Sequence, residues 1–95
     1  MGFDNKGTFE IYQNIKNEIG NAHDELIRDF AEELTRKIRS RIYIGWQEVT
    51  QEYNRMASEV ELHAANPKYE PLGLDMSGGL LERLMKSIVD NFSLK

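Results

Sequence analysis

Residues 26–42, LIRDFAEELTRKIRSRI, decide the fold that this sequence predicts. Large apolar residues recur at every fourth position from Leu26 to Ile42, and Ile27 and Ala31 widen the stripe. Because apolar residues three or four positions apart lie on the same side of a helix, this spacing predicts an amphipathic α-helix. No proline occurs between Thr8 and Asn66, so helical backbone can extend in both directions.

Apolar residues at the same spacing continue the stripe on both sides and reappear near the end of the chain. They predict a single all-α domain. We expect its helices at about residues 8–19, 21–44, 46–65 and 77–92. Both prolines and three glycines place a loop at 66–79, and the polar first residues, 1–7, are expected to form a flexible arm.

Capping residues and glycines indicate where the helices end. Thr8 is the expected N-cap of the first helix, and either Asp75 or Ser77 is that of the last. Gly20 and Gly45 each mark a turn or a kink within a longer helix, since one glycine costs only about 1 kcal/mol inside a helix.

The apolar ridge from Tyr12 to Val60 is long compared with the helix that returns to cover it. A final helix of about sixteen residues spans only some 24 Å. We therefore expect a helical hairpin or a small three- to four-helix bundle that is completed by self-association, most simply a two-fold dimer. A monomer that folds its first helix back at Gly20 is the alternative.

The composition narrows the class of protein. The chain has 95 residues, 29% of them charged, and a net charge of −4, which is typical of a folded domain and argues against a general nucleic-acid binder. It contains no cysteine, which excludes disulfides, thiolate metal sites and cysteine nucleophiles. The first ten residues lack a signal-peptide core, and no apolar run reaches membrane-spanning length. We expect a cytoplasmic protein that does not enter a membrane.

No residue pattern indicates catalysis. His63 follows Glu59 by one helical turn, but no further ligands join them, and His23 is distant in the sequence. The motifs of nucleophilic, phosphate-binding and zinc-dependent enzymes are absent. We therefore predict a non-enzymatic protein without a metal or cofactor.

Charged residues form blocks along the predicted helix. Acids dominate from Glu18 to Glu33, and bases dominate from Arg36 to Arg41. Opposite charges four residues apart would support a solvated helix by a few tenths of a kcal/mol each. The three such pairs are Asp24–Arg28, Glu32–Arg36 and Glu33–Lys37. Alternatively, the blocks steer an antiparallel partner, such as a second copy of the chain.

Large aromatic side chains in so short a chain form either the core or an interface. Aromatic residues and arginine anchor many protein interfaces, and Trp46 is the preferred anchor here. The full set of interface candidates comprises Arg36, Arg39, Tyr43, Trp46, Tyr53, Leu84 and Phe92.

Two stretches resemble the small tail-completion or head–tail neck proteins of tailed bacteriophages. Those proteins begin with a long helix rich in Ala, Glu, Lys and Arg, similar to AEELTRKIRSRI at 31–42. They continue with an Asp-Thr-Gly-x-Leu element and a Ser-Ile pair, whose counterpart is LDMSGGLLERLMKSI at 74–88, without the threonine and with the pair one turn later. The matching residues are Asp75, Ser77, Gly78, Leu80, Ser87 and Ile88. The resemblance implies a non-enzymatic assembly protein of the host cytoplasm or the virion, which forms rings or docks on other subunits.

Three functional hypotheses remain. We favour a protein–protein interaction or assembly protein, such as a phage structural or accessory component, that binds another protein or itself. The first alternative is a small inhibitor or antitoxin-like regulator that binds a larger enzyme through acidic residues between Asp24 and Glu33. The second, disfavoured by the net charge, is a nucleic-acid-associated helical protein that uses Arg36–Arg41.

Overall fold

The computed structural model describes residues 5–20, 22–76 and 79–93, which form an all-α bundle, as predicted. The α-helices in these ranges are α1 (Lys6–Ile19), α2 (Asp24–Arg39), α3 (Thr50–Ala64) and α4 (Leu80–Phe92). Two 3₁₀ helices, Trp46–Glu48 and Pro67–Leu72, lie in the connections before and after α3.

Gly20 and Gly45 are turns and not kinks. Each has a positive φ, +83° and +81°, which glycine adopts without the steric cost that a side chain would add. Gly20 closes α1 by donating its N–H to the carbonyl of Lys16 at 2.7 Å. The predicted helix over 21–44 is therefore too long, because α2 ends at Arg39 and the chain turns before Gly45; Asn21 lies outside the described residues.

The first helix begins before Thr8, so the predicted cap is wrong. Asn5 is the N-cap, and its side-chain oxygen accepts the backbone N–H of Thr8 at 3.1 Å. Thr8 is buried inside α1, where its hydroxyl meets that of Thr35 on α2 at 2.7 Å. Residues 5–7 thus belong to the cap and the helix, and the rest of the predicted flexible arm, residues 1–4, lies outside the described residues.

The predicted loop over 66–79 contains a short helix. Asn66 accepts the N–H of Lys68 at 2.9 Å, and proline at the next position has no N–H to leave unpaired. Tyr69 and Leu72 of this 3₁₀ helix are buried in the core. Helix α4 then starts after Gly79, which has a φ of +91°, so Asp75 is not its cap, and the alternative cap, Ser77, lies outside the described residues.

Most of the apolar ridge is covered by the chain itself, as in the alternative with the first helix folded back, whereas Val49 and Tyr53 remain exposed. The turns at Gly20 and Gly45 bring segments of the ridge to face each other, and α1 packs against both α2 and α4. The buried part of the ridge therefore needs no second copy to cover it, and self-association of the chain stays a prediction. The buried residues of this ridge are Tyr12, Ile15, Ile27, Phe30, Ala31, Leu34, Ile38, Trp46, Met56 and Val60.

Helix α3 is the least embedded of the four α-helices. It buries three of its fifteen residues, Met56, Val60 and His63. By comparison, α2 buries six of sixteen. Most of the surface of α3 is consequently exposed, together with the segment that leads into it.

Candidate interaction surface

Three of the seven predicted interface residues lie inside the single chain. Trp46, Leu84 and Phe92 are buried, and the indole Nε1 of Trp46 donates a hydrogen bond of 3.0 Å to the backbone carbonyl of Phe92. A partner could reach these side chains only if the helices separated. This placement corrects the expectation that Trp46 anchors an interface: it connects the segment before α3 to the end of α4.

The structure leaves a separate apolar surface exposed around Trp46. Tyr43, Ile44, Val49 and Tyr53 have exposed fractions of 45%, 71%, 42% and 36%, and we call these four residues the 43–53 surface. Two of them, Tyr43 and Tyr53, are predicted interface residues. A fifth large apolar residue that is exposed in the part of the chain that the structure describes, Leu62, lies nine positions after Tyr53, on the opposite side of α3.

Tight turns hold the 43–53 surface in place. The N–H of Trp46 donates to the carbonyl of Tyr43 at 3.1 Å, and the N–H of Tyr53 donates to the carbonyl of Val49 at 2.9 Å. The buried indole of Trp46 lies between these turns and fixes the segment to the core. The segment that carries the exposed side chains is therefore already ordered, which limits the entropy lost when a partner binds.

Sequence reasoning missed Ile44 and Val49 as exposed residues. The apolar spacing assigns Val49 to the same stripe as Trp46, and Ile44 to the end of the preceding helix. The signal in the sequence that could have distinguished Ile44 and Val49 from the buried residues is Gly45, because its left-handed conformation interrupts the helical spacing.

Positive charge accompanies the 43–53 surface. Between residues 36 and 55 the chain has five lysines and arginines and two acids, a local charge of +3 in a protein whose net charge is −4. Arg36 and Arg39 are exposed, and neither forms an ion pair with any described residue. Arg41, in contrast, lies 3.5 Å from Glu59.

Only one of the three predicted helix ion pairs forms. The Arg28 guanidinium lies 2.9 Å from the Asp24 carboxylate, as the spacing predicts. Glu33 instead contacts Lys68 at 2.5 Å, and Lys37 contacts His63 at 3.1 Å. The predicted pair Glu33–Lys37 is therefore wrong, because residues from other elements contact both of its members. The predicted pair Glu32–Arg36 does not form either, and both of its side chains are exposed.

Internal contacts neutralise much of the acidic block. Lys68 lies 2.5 Å from both Asp29 and Glu33, and these two carboxylates raise the pKa of its ammonium group. Asp24 accepts a hydrogen bond from the Tyr12 hydroxyl and pairs with Arg28, and these contacts lower its pKa. Glu25 and Glu32 remain exposed.

His63 is buried among the aromatic rings of Phe30 and Tyr69, at centroid distances of 4.5 and 4.9 Å. Its Nδ1 lies 3.1 Å from the Lys37 ammonium, which has only hydrogen atoms to donate, so Nδ1 accepts. Its Nε2 therefore carries the proton and donates to the Phe30 carbonyl at 3.0 Å. These two contacts select the neutral ring and attach α3 to α2.

The surroundings of His63 lower its pKa below the ordinary value of 6.5. Burial is the main cause, and the Lys37 ammonium adds to it; the bond to Phe30 and the charges of Glu33 and Glu59 oppose it. Nearby, burial raises the pKa of Tyr69 to about 12, so its phenol is neutral at every pH at which a histidine titrates.

We expect the free energy of unfolding to fall as the pH decreases through 6.5, the ordinary pKa of histidine. The unfolded chain takes up a proton at His63 first, because the folded-state pKa is lower, and this uptake favours unfolding. Urea unfolding followed by circular dichroism between about pH 8 and about pH 5 measures the effect.

The matched control for this titration is His63→Gln, whose amide N–H can still donate to the Phe30 carbonyl. His23 is exposed and remains in the variant, so a flattened pH profile would be specific to His63. The contacts of Asp24 and Glu33 lower the pKa values of these carboxyls, which keeps their titration at lower pH. An unchanged pH profile in the variant would contradict the assignment.

No three histidine or acidic side chains within residues 5–20, 22–76 and 79–93 converge on a position for a metal ion. Across the same ranges, no helix combines the length and the apolarity that a membrane span requires. No family model, curated protein or solved structure matches this chain.

Proposed function

We propose that this chain is a non-enzymatic interaction or assembly protein that binds a partner through the 43–53 surface. The supporting observation is the distribution of apolar residues: of the five large apolar side chains that are exposed among the described residues, four lie between positions 43 and 53. Exposed apolar side chains that cluster are typical of binding sites, whereas single ones are ordinary. The partner presents acidic and apolar side chains, because Arg36 and Arg39, which precede this surface in the sequence, are exposed and form no ion pair with any described residue.

The composition of the surface suits such a contact. Tyrosine and arginine are enriched among the residues that dominate binding energy. Removing apolar area from water contributes about 25 cal/mol per Å². Positive charge around the apolar residues would orient an acidic partner and speed its association.

An assembly role is the form of this function that the resemblance of residues 31–42 and 74–88 to phage neck proteins suggests. The two alternatives receive less support from the contacts. Asp24, Asp29 and Glu33 are engaged within the chain, which leaves the acidic block fewer charges for an enzyme. Of the basic block, Lys37 and Arg41 are engaged in the same way.

Photo-crosslinking tests the proposal directly. The photoreactive residue p-benzoylphenylalanine replaces Tyr43 or Tyr53 in turn, and the purified chain is irradiated in a native extract. Both positions should yield an adduct whose crosslinked peptide is acidic and apolar. The yield should fall between about 0.1 M and about 1 M salt, where the Debye length shrinks from about 10 Å to about 3 Å.

Leu62 is the matched control, because it is exposed and apolar but lies on the other side of α3. The same photoreactive residue at position 62 should give no such adduct. Equal yields at positions 43, 53 and 62, or no adduct at any of them, would reject the 43–53 surface as the binding site.

A further inference from the structure

The outward face of α2 carries charges in an order that complements itself. Glu25, Glu32, Arg36 and Arg39 are all exposed, and none of them forms an ion pair with a residue in the described ranges. Their separations are close to whole numbers of helical turns, so they lie on one stripe along the helix. This α2 stripe is acidic in its first half and basic in its second half.

We propose that the partner is a second copy of this chain, whose α2 packs antiparallel against the first α2. This inference rests on the proposed function and names its partner. The two-fold axis passes between Glu32 and Arg36, so that Glu32 faces Arg36 of the second copy. By symmetry the contact occurs twice, as in every isologous interface. A parallel arrangement would place like charges opposite each other, which disfavours it.

The antiparallel arrangement also covers part of the 43–53 surface. The backbone at the end of α2 remains turned as far as Ile42, whose N–H donates to the carbonyl of Ile38 at 3.2 Å. Tyr43 and Ile44 follow directly, so they come beside the first turns of α2 in the second copy. There, half-buried Leu26 lines a shallow depression of about 520 Å³. Among the described residues, Ile44 is the most exposed large apolar one, and this contact would remove it from water.

The resulting contact is small, because it joins one face of a sixteen-residue helix and two adjoining residues. Specific interfaces commonly bury about 1,200–2,000 Å², and this one falls at or below the lower end. The core of each chain is complete without it. We therefore expect a reversible dimer that forms as the protein concentration rises and dissociates as salt screens the charges.

Sedimentation equilibrium from micromolar to millimolar protein tests the dimer and its salt dependence. Charge reversal tests its geometry. A dimer of the Glu32→Arg variant has four arginines at the axis, and a dimer of the Arg36→Glu variant has four glutamates. Each variant alone should therefore dimerise at least about tenfold more weakly than the wild type. An equimolar mixture of the two should form a heterodimer, because every contact at the axis is then between opposite charges.

The matched controls reverse exposed charges elsewhere, at Glu61→Arg on α3 and Lys86→Glu on α4. Each control should dimerise as the wild type does, and circular dichroism confirms that all variants are folded. A wild type that stays monomeric at millimolar concentration, or a mixture of the two α2 variants that stays monomeric, would overturn the proposal.

The results that would reject the proposed function differ from those that would reject the dimer. If the chain is monomeric while positions 43 and 53 still crosslink to a different acidic protein, the dimer is wrong and the 43–53 surface stands. If the α2 variants behave as expected but positions 43 and 53 crosslink no better than position 62, the contact between the two α2 helices stands and the 43–53 surface is rejected as the binding site.

Discussion

Replacing Trp46 with alanine is expected to lower the free energy of unfolding by roughly 3–5 kcal/mol, the usual loss when a large buried aromatic is truncated. The indole is 1% exposed, so the substitution leaves a cavity in the core. It also removes the donor to the Phe92 carbonyl. Small domains are stable by only about 5–15 kcal/mol, and one of 95 residues lies towards the lower end. Urea unfolding followed by circular dichroism measures the loss.

The control variant Trp46→Phe separates packing from hydrogen bonding. It keeps an apolar ring in the core but leaves the Phe92 carbonyl without its donor, at an expected cost of about 1–3 kcal/mol. A Trp46→Ala variant within about 0.5 kcal/mol of the wild type would be typical of a surface position. That result would return Trp46 to the interface role that the sequence pattern suggests.

Gly7→Ala is expected to lower the free energy of unfolding by about 1–3 kcal/mol, as overpacking in a core commonly does. A Cβ atom at position 7 would lie 2.5 Å from Cε2 of the Phe92 ring and 2.6 Å from Cζ. The helix propensity of alanine opposes this effect by about 1 kcal/mol. We expect the clash to dominate because Phe92 is 4% exposed and Trp46 binds its backbone carbonyl, so the ring has little room to move.

A double-mutant cycle tests whether this clash is the cause. Phe92→Leu shortens the side chain facing position 7, so Gly7→Ala should cost less in that background than in the wild type. The coupling between such neighbouring residues is commonly about 0.5–3 kcal/mol. Identical costs in the two backgrounds, or a stabilised Gly7→Ala variant, would show that the Phe92 ring does not limit the space.

The helical architecture was predictable from local patterns. Apolar residues at every fourth position from Leu26 to Ile42 predict a helix whatever the positions of the neighbouring helices. Pro67 marks the end of the helical stretch that precedes it. The choice between a bundle closed by one chain and a dimer was not predictable in this way. That choice depends on the directions taken at Gly20 and Gly45, and a single glycine is compatible with both a turn and a kink.

Side-chain partners were less predictable than helices. Glu33 and Lys37 are correctly spaced for each other, yet each contacts a residue that is distant in the sequence, Lys68 and His63 respectively. Trp46 and Tyr43 illustrate the same limit for interfaces. Both are aromatic and lie close to Gly45, where the helical spacing of apolar residues is interrupted. Only the packing of α4 decides that Trp46 is buried and Tyr43 is exposed.

The pairing of α1 with α4 has a consequence for the newly made chain. Asn14 and Ser87 are joined by a hydrogen bond of 3.0 Å although 73 residues separate them. On the ribosome, residues 80–92 emerge after α1, α2 and α3, so the side of α1 that they cover stays in contact with water until they have left the exit tunnel. Closure of the core therefore waits for the end of translation of this region. Until then the nascent chain exposes the apolar side of α1, to which a chaperone can bind.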